Sequence, residues 1–314
     1  MSSSSPPPAE GVRVQWYQLP PFVRRAIEDR IGDRVVDAVT QPGGFSPGLA
    51  ARLVTGDGRR CFVKAVSEQA NPDTPGIHRR EAEMVAALPV EAPVPRLLWT
   101  YDEGGWVVLG FEDVEGSTPA QPWREDELRL VVDALKRLHA VLTPAPIPSE
   151  SAGNGFAAHI KGWDELKSAH AGIDGWSARN LDRLVELEAR APAASGGTTL
   201  LNFDVRADNL LIAGDKVYFV DWPWARIGAP FVEWVAFAPS VSMQGGPQPE
   251  ELMRMAALDD VDDGAVDAVL AAITGFFIAY SLRPPPPGIP TVRAFQAAQG
   301  EIALAWLRER TGWE

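Results

Sequence analysis

The 314-residue chain has one cysteine and four histidines. A single cysteine excludes an intrachain disulfide framework, and the lack of clustered Cys and His argues against a structural zinc site. The histidines fall in no recognised metal-ligand spacing: His78, His139, His159 and His170. Stability must therefore come from an apolar core, for which 46% hydrophobic residues in a chain of this length are ample.

Positive charge is also scarce, with 29 Lys and Arg against 42 Asp and Glu and a formal net charge of −13. An acidic chain is a poor partner for nucleic acid or for an anionic membrane, so we expect neither. The charge suits a cationic small molecule. It is equally consistent with solvated acidic faces that keep a protein soluble.

Long apolar runs are missing as well. The longest, residues 265–282, is interrupted by Asp267, Thr274 and Gly275, and we expect a buried helix there. The Ser/Pro-rich start has neither the basic region nor the apolar core of a signal peptide, which predicts a disordered tail over residues 1–15. These features favour a cytoplasmic protein.

The most informative stretch is residues 200–222. An apolar run leads into a polar loop that ends at Asn209, and two short apolar strands joined by a tight turn then deliver Asp221. Asp204 lies five positions before Asn209. Kinases need this set for phosphoryl transfer, because one carboxylate orients or deprotonates the acceptor hydroxyl while the Asn and second Asp hold Mg²⁺ ions that bridge the ATP phosphates.

Asp204-x-x-x-x-Asn209 followed by Val220-Asp221-Trp222 resembles the catalytic core of the aminoglycoside phosphotransferase family, which includes choline kinase-like proteins. The usual loop of that family reads His-Gly-Asp, whereas this chain has Asn202 and Phe203 before Asp204. The resemblance covers residues 35–234. It implies an α+β, bilobal protein-kinase-like fold. We expect a small β-rich N-terminal lobe over residues 16–110 and a larger, mostly helical C-terminal lobe over residues 111–314.

A lysine lies inside an apolar strand predicted over residues 60–66, whose alternation puts Phe62, Lys64 and Val66 on one face. A lysine in such a strand needs a counter-charge. The resemblance supplies two, the ATP phosphates and Glu81 in a helix predicted over residues 77–88, with Glu83 as the fallback partner. The structural alternative is a surface lysine on an edge strand.

A glycine-rich turn over residues 41–48 contains Gly43, Gly44 and Ser46. Glycines let a loop lie close over phosphates and present N–H groups to them. A plain hairpin turn has the same composition. The turn is not a P-loop, because Leu49 and Ala50 stand where Lys and Ser/Thr would be.

The resemblance also places the base of the nucleotide. Phe62 is expected to line the adenine pocket, and backbone groups of Gly110, Phe111 and Glu112, where the lobes join, to bind the purine edge. Because those contacts are made by backbone, the sequence does not distinguish ATP from GTP.

Other polar groups of the second lobe have two interpretations each. Arg206 would either neutralise phosphate charge or pair with Asp208 or Glu233, and Glu233 is expected to anchor the catalytic loop. Acidic residues within a helical segment, 162–190, could meet the amines of an acceptor or form a solvated face.

Residues 283–290 predict a stiff polyproline connector between the last two helices.

The leading hypothesis is an ATP- or GTP-dependent, Mg²⁺-dependent phosphotransferase acting on a hydroxyl of a small molecule, such as an aminoglycoside or another amino-bearing alcohol. Asp204 would be the catalytic residue, and Asn209 and Asp221 the metal ligands. The alternative, suggested by Asn202 and Phe203, is a catalytically silent kinase-fold protein that binds a small molecule or a partner. The sequence carries no signal for an oligomeric state.

Overall fold

The computed structural model of the protein describes residues 6–169, 172–258 and 260–314. These residues form the two lobes expected from the sequence, an antiparallel sheet with two helices followed by a mostly helical part. The elements of the first lobe are α1 (Pro21–Ile31), β1 (Val35–Thr40), β2 (Leu49–Thr55), β3 (Arg60–Ser67), α2 (Thr74–Ala87), β4 (Leu97–Glu103) and β5 (Trp106–Phe111).

The five strands pair antiparallel in the order β1-β2-β3-β5-β4. The helix α2 begins at Thr74, three residues before the predicted start, because Pro75 fits the first turn of a helix, where its missing N–H is not needed. The last strand, β5, ends at Phe111, next to the expected lobe boundary.

The alternation of β3 divides its side chains between two cores. Cys61, Val63 and Ala65 belong to a cluster that α1 covers, whereas Phe62 and Val66 pack with a larger cluster that extends through the second lobe. Phe62, Lys64 and Val66 therefore share the face toward the second lobe, as period-two alternation predicts. This face of the sheet forms one wall of the cleft between the lobes.

In the second lobe, helices surround two short two-stranded sheets, β6 with β9 and the hairpin β7 with β8. A 3-10 turn, Ala207–Asn209, precedes β7. The elements are α3 (Glu125–Val141), α4 (Ala152–His159), α5 (Gly162–Ser168), α6 (Gly175–Arg179), α7 (Leu181–Glu188), α8 (Ala191–Ala194), β6 (Thr199–Leu201), β7 (Leu210–Ala213), β8 (Lys216–Phe219), β9 (Arg226–Gly228), α9 (Pro230–Met243), α10 (Pro249–Met255), α11 (Asp263–Ser281) and α12 (Val292–Thr311).

By length and composition alone, α11 could cross a membrane, and 56% of its apolar window is buried inside the protein. It packs against α5, α7, α8, α9 and α12. The core helix of a globular protein meets the same criteria, and the expectation of a buried helix in this region is confirmed.

The second half of the tail predicted over residues 1–15 makes backbone contacts with the first lobe. Residues 1–5 lie outside the described part of the chain. Further on, Val14 donates its N–H to the carbonyl of Gly48 at 3.0 Å, and Gly48 donates to Val12 at 3.1 Å. Backbone hydrogen bonds to the glycine-rich turn therefore hold a segment whose composition alone predicts disorder.

Candidate active site

The lysine of β3 reaches into the cleft and contacts two carboxylates. The Lys64 Nζ donates to Glu81 Oε1 of α2 at 2.6 Å and also to Asp221 Oδ1. Its side chain is only 12% exposed, which excludes the surface-lysine alternative. Glu83 is exposed on α2, so the fallback partner was wrong. Burial raises the pKa of Glu81 to about 7 despite the adjacent ammonium.

Asn202 joins the two segments that carry the catalytic candidates. Its side-chain Nδ2 donates to the carbonyls of Asp221 at 3.0 Å and Val220 at 3.4 Å, and its Oδ1 accepts from the Asp204 N–H at 3.1 Å. The residue is fully buried at 1% exposure. An amide side chain thus uses both its donor and its acceptor to fix the spacing between Asp204 and Asp221.

Phe203 has a backbone φ of 67°, a left-handed conformation that glycine adopts with little strain. Its N–H donates to Glu233 Oε1 at 2.7 Å, and the other oxygen of Glu233 accepts from His139 Nε2 at 2.7 Å. The ring packs edge-on against Phe156 of α4 at 5.8 Å between centroids. The expected anchoring role of Glu233 thus corresponds to a direct bond to the catalytic loop.

Asp204 faces the cleft with its side chain 26% exposed. One carboxylate oxygen accepts from Arg206, and the other accepts from Asn209 Nδ2 at 3.1 Å. Burial raises the pKa of Asp204 to about 6, while the Arg206 guanidinium opposes that shift. Arg206 also pairs with Asp208 at 2.8 Å, so it forms the Asp208 pair rather than a pair with Glu233.

A magnesium ion fits Asn209 and Asp221. With Nδ2 of Asn209 bonded to Asp204, its Oδ1 is buried and has no partner. The backbone carbonyl of Asn209 accepts from the N–H of Val220 at 3.0 Å, so the backbone of Asn209 is bonded to the residue that precedes Asp221. Burial alone would raise the pKa of Asp221, but the Lys64 ammonium holds this pKa below its usual range, so the carboxylate is ionised.

No group of three or more His, Cys, Asp or Glu suited to a metal occurs among the residues that the structure describes. One carboxylate and one amide oxygen are typical of magnesium sites that share the ion with substrate phosphates. The chemistry of the donor set therefore matches the ion that the sequence predicted.

The glycine-rich turn is held in a way that the sequence did not predict. The Arg13 guanidinium donates to the carbonyls of Gly43, Gly44 and Ser46. The N–H of Gly44 donates to the Ala9 carbonyl at 2.9 Å. In this arrangement the N-terminal segment uses the Gly44 N–H, and phosphate binding by Gly44 stays a prediction.

The residues expected around a purine lie at the junction of the lobes. Phe62 and Phe111 are paired across β3 and β5, and Lys64 Nζ lies 5.7 Å from the Phe111 ring centroid. At Gly110, a Cβ would approach the Trp99 ring to 2.2 Å, which explains the glycine by packing. The Glu112 N–H donates to Arg96 at 2.9 Å. Purine binding by backbone groups at 110–112 stays a prediction.

Three aromatic or basic residues join the site without any signal in the local sequence. Arg13 comes from the N-terminal segment, and Phe45 at the tip of the glycine-rich turn packs against Phe295 of α12 at 5.2 Å. His78 is buried, and burial together with Lys64 lowers its pKa to about 4. Only His78 could have been found, since it lies one helical turn before Glu81 on the same face of α2.

The comparisons with known proteins agree with this geometry. A model of a family described as "Phosphotransferase enzyme family" matches residues 42–267. No curated protein matches the chain by sequence.

Solved structures share the fold at low sequence identity. The aminoglycoside phosphotransferase APH(4)-Ia, in a ternary complex with AMP-PNP and hygromycin B, is 15% identical with a TM-score of 0.65, covering 94% of this chain and 100% of that one. An aminoglycoside-3'-phosphotransferase of type VIII is 21% identical with a TM-score of 0.55, covering 80% and 97%. A choline/ethanolamine kinase family protein from Mesorhizobium loti is 16% identical with a TM-score of 0.56, covering 87% and 88%.

Proposed function

Because the chain belongs to the phosphotransferase enzyme family, we propose that it transfers the terminal phosphoryl group of ATP or GTP to a hydroxyl of a small molecule. The observation that carries this proposal is the buried side-chain amide oxygen of Asn209, which has no partner. The backbone carbonyl of the same residue accepts from the Val220 N–H, next to Asp221. A structural asparagine would use that oxygen for a hydrogen bond, since unpaired buried polar atoms are costly.

Asp204 is the acceptor-activating residue in this proposal. Its carboxylate has free lone pairs beyond the bonds from Arg206 and Asn209, and its partial exposure leaves room for an incoming hydroxyl. With a pKa raised to about 6, the carboxylate is ionised at neutral pH and more basic than an ordinary aspartate. It would accept the proton of the hydroxyl as that oxygen bonds to phosphorus and the nucleoside diphosphate leaves.

The nucleotide phosphates would lie opposite Asp204. Lys64, fixed by Glu81, would bind them, and Asn209 with Asp221 would hold Mg²⁺. When bound, the ion neutralises negative charge on the phosphate oxygens. The role of the protein side chains is to place the phosphates in line with a hydroxyl at Asp204.

The silent-protein alternative rested on Asn202 and Phe203. Asn202 holds Asp204 and Asp221 together through three hydrogen bonds, and Phe203 keeps the left-handed backbone of the loop. Both departures therefore leave the reacting groups positioned, which favours the enzyme.

For the acceptor, we propose an alcohol that carries an amine. The net charge of −13 favours a cationic molecule, and two relatives by fold have matching names, one bound to hygromycin B and one called a choline/ethanolamine kinase family protein. A screen should compare an aminoglycoside, choline and ethanolamine with neutral sugars of similar size. Transfer to the neutral sugars alone would contradict this part of the proposal.

The decisive measurement is calorimetric titration of ATP and GTP, with and without Mg²⁺, into the wild type and Asp221→Asn. We expect Mg²⁺-dependent binding in the wild type that the variant loses. Asp215→Asn is the matched control, because Asp215 is exposed in the β7–β8 turn. In the transfer assay, Asp204→Ala should abolish transfer and keep nucleotide binding. Failure of the wild type to bind either nucleotide would refute the proposal.

A further inference from the structure

Residues 9–14, here called the clasp, are hydrogen-bonded to both lobes. Toward the first lobe they pair with the glycine-rich turn. The Gly44 N–H donates to Ala9, the Gly48 N–H donates to Val12, and the Val14 N–H donates to Gly48, all within 2.9–3.1 Å. The clasp thus extends the turn by a short stretch of paired backbone.

Toward the second lobe, the clasp reaches the connector between α11 and α12. The Val12 N–H donates to the Gly288 carbonyl at 2.8 Å. The Thr291 hydroxyl bonds to both backbone groups of Glu10, accepting from its N–H at 3.3 Å and donating to its carbonyl at 3.1 Å. One segment of six residues is therefore bonded to the upper and the lower wall of the cleft.

Arg13 is the one basic residue among residues 6–14. Its guanidinium collects the carbonyls of Gly43, Gly44 and Ser46, so it fixes the turn from one side while the clasp backbone fixes it from the other. A guanidinium bonded to three convergent carbonyls imposes one loop conformation, which a lysine with its single ammonium imposes less well.

The tip of the turn carries this closure to the catalytic loop. Phe45 packs against Phe295 of α12 and lies over the Arg206 guanidinium at 5.3 Å, and Phe295 lies 5.9 Å from the same group. Arg206 in turn bonds to Asp204. The closed turn therefore contacts the residue that holds the catalytic aspartate.

Apolar packing holds only one end of the clasp. Val14 packs against the core of the first lobe, whereas Val12 is 58% exposed, and an open groove of about 550 Å³ runs between the clasp and β1. Segments held by a few hydrogen bonds and little buried area open at low free energy. Such a segment suits a step that must open and close in each cycle, as nucleotide entry and product release require.

We propose that the clasp closes the nucleotide cleft and that Arg13 is a positioning residue, which holds the glycine-rich turn over the phosphates. The role in nucleotide binding rests on the proposed function, whereas the clasp as a structural unit rests only on the hydrogen bonds given above.

The test compares Arg13→Met, Arg13→Lys and Thr291→Val, with Arg25→Met as a control that removes an exposed arginine of α1. Thr291→Val removes the two bonds of the Thr291 hydroxyl to Glu10 on the side of the second lobe and leaves the bond from Val12 to Gly288 in place. Hydrogen exchange resolved to single amides reports on Gly44 and Gly48, with Val63 in β3 as the internal control. We expect Arg13→Met to speed exchange at both glycines by at least about tenfold, because it removes three charged hydrogen bonds and the loss of one such bond already corresponds to about tenfold. Thr291→Val should speed exchange at the same amides.

The second readout is the affinity for the Mg²⁺ complex of AMP-PNP, or of the matching GTP analogue. Arg13→Met should weaken it by about tenfold, Thr291→Val by a smaller factor, and Arg13→Lys should recover part of the loss. The control should match the wild type in both readouts.

If the amides of Gly44 and Gly48 exchanged as slowly in Thr291→Val as in the wild type, the two sides of the clasp would not act together, and the proposal would be overturned. An unchanged affinity in Arg13→Met would overturn the positioning role. A wild type that binds no nucleotide would remove the proposed function and the nucleotide role of Arg13, and the exchange pattern would then decide the clasp by itself.

Discussion

Removing the Asn202 side chain tests whether this amide replaces the histidine usual in the family. Asn202→Ala deletes two donated bonds, to the carbonyls of Val220 and Asp221, and one accepted bond from the Asp204 N–H. The site is 1% exposed, so water does not readily replace these partners. Both catalytic segments should lose stability and relative position together.

The expected magnitude follows from the three bonds. A net contribution of about 1 kcal/mol for each bond, with the 3.4 Å bond weaker, predicts a loss of about 2–3 kcal/mol in the free energy of unfolding. A displacement of about 1 Å at a reacting group costs about 100-fold in rate. We therefore expect phosphoryl transfer to fall by about 100-fold, with nucleotide affinity changed much less.

Urea unfolding and transfer kinetics, measured with the acceptor found in the screen, give the two quantities. Asn154→Ala is the matched control, because Asn154 is exposed on α4. Asn202→His should retain most of the activity, since an imidazole also offers one donor and one acceptor. The reasoning would be refuted if Asn202→Ala had the same unfolding free energy and the same transfer rate as the wild type. If the wild type were inactive and Asn202→His active, the catalytically silent alternative would be favoured.

Two further predictions concern buried or strained groups. Burial raises the pKa of Glu188 to about 7, so between about pH 5 and pH 8 the folded protein holds a proton that the unfolded chain releases. As the pH rises through this range, the free energy of unfolding should therefore fall more steeply in the wild type than in Glu188→Gln. Equal slopes in urea unfolding would contradict this. Phe203 has a φ of 67°, at which alanine is strained and glycine is not. Phe203→Ala should therefore be less stable than Phe203→Gly by about 1 kcal/mol, because both variants lose the ring and only alanine keeps the backbone strain. Equal urea midpoints would show that position 203 carries no strain.

Much of the site could be predicted because its chemistry is local in sequence. The catalytic loop, the hairpin and Asp221 occur within one short stretch, and the alternation of β3 fixed the direction of Lys64. Glu81 was identified through the family resemblance, and the helix geometry then explains why Glu83 points elsewhere.

The parts that escaped prediction depend on contacts between distant segments. Glu10 and Thr291 are separated by 281 positions, and no periodicity links a Ser/Pro-rich start to a polyproline connector. The composition of the start predicts disorder because it offers little to bury, and its order comes instead from backbone bonds to partners that only the fold supplies. Phe203 is an intermediate case: the anchoring by Glu233 was expected, whereas the edge-on packing of the Phe203 ring on Phe156 of α4 was not.

The charges of the assembled site make a last argument for a divalent ion. Lys64 is shared by Glu81 and Asp221, and Arg206 is shared by Asp204 and Asp208, so two directly bonded cations face four carboxyl groups. With its pKa raised to about 7, Glu81 is partly protonated at neutral pH, and the other three carboxyl groups still outnumber the two cations. This excess of negative charge repels a nucleotide polyanion unless the metal arrives with it.

The two forms of ATP should therefore respond to Asp221→Asn in opposite directions. The variant loses affinity for ATP with Mg²⁺, because a ligand of the ion is gone. It gains affinity for ATP without Mg²⁺, because the negative charge of the ionised Asp221 carboxylate has been removed. A variant that merely distorted the cleft would weaken both forms, so calorimetry under the two conditions separates the loss of a metal ligand from a loss of structure.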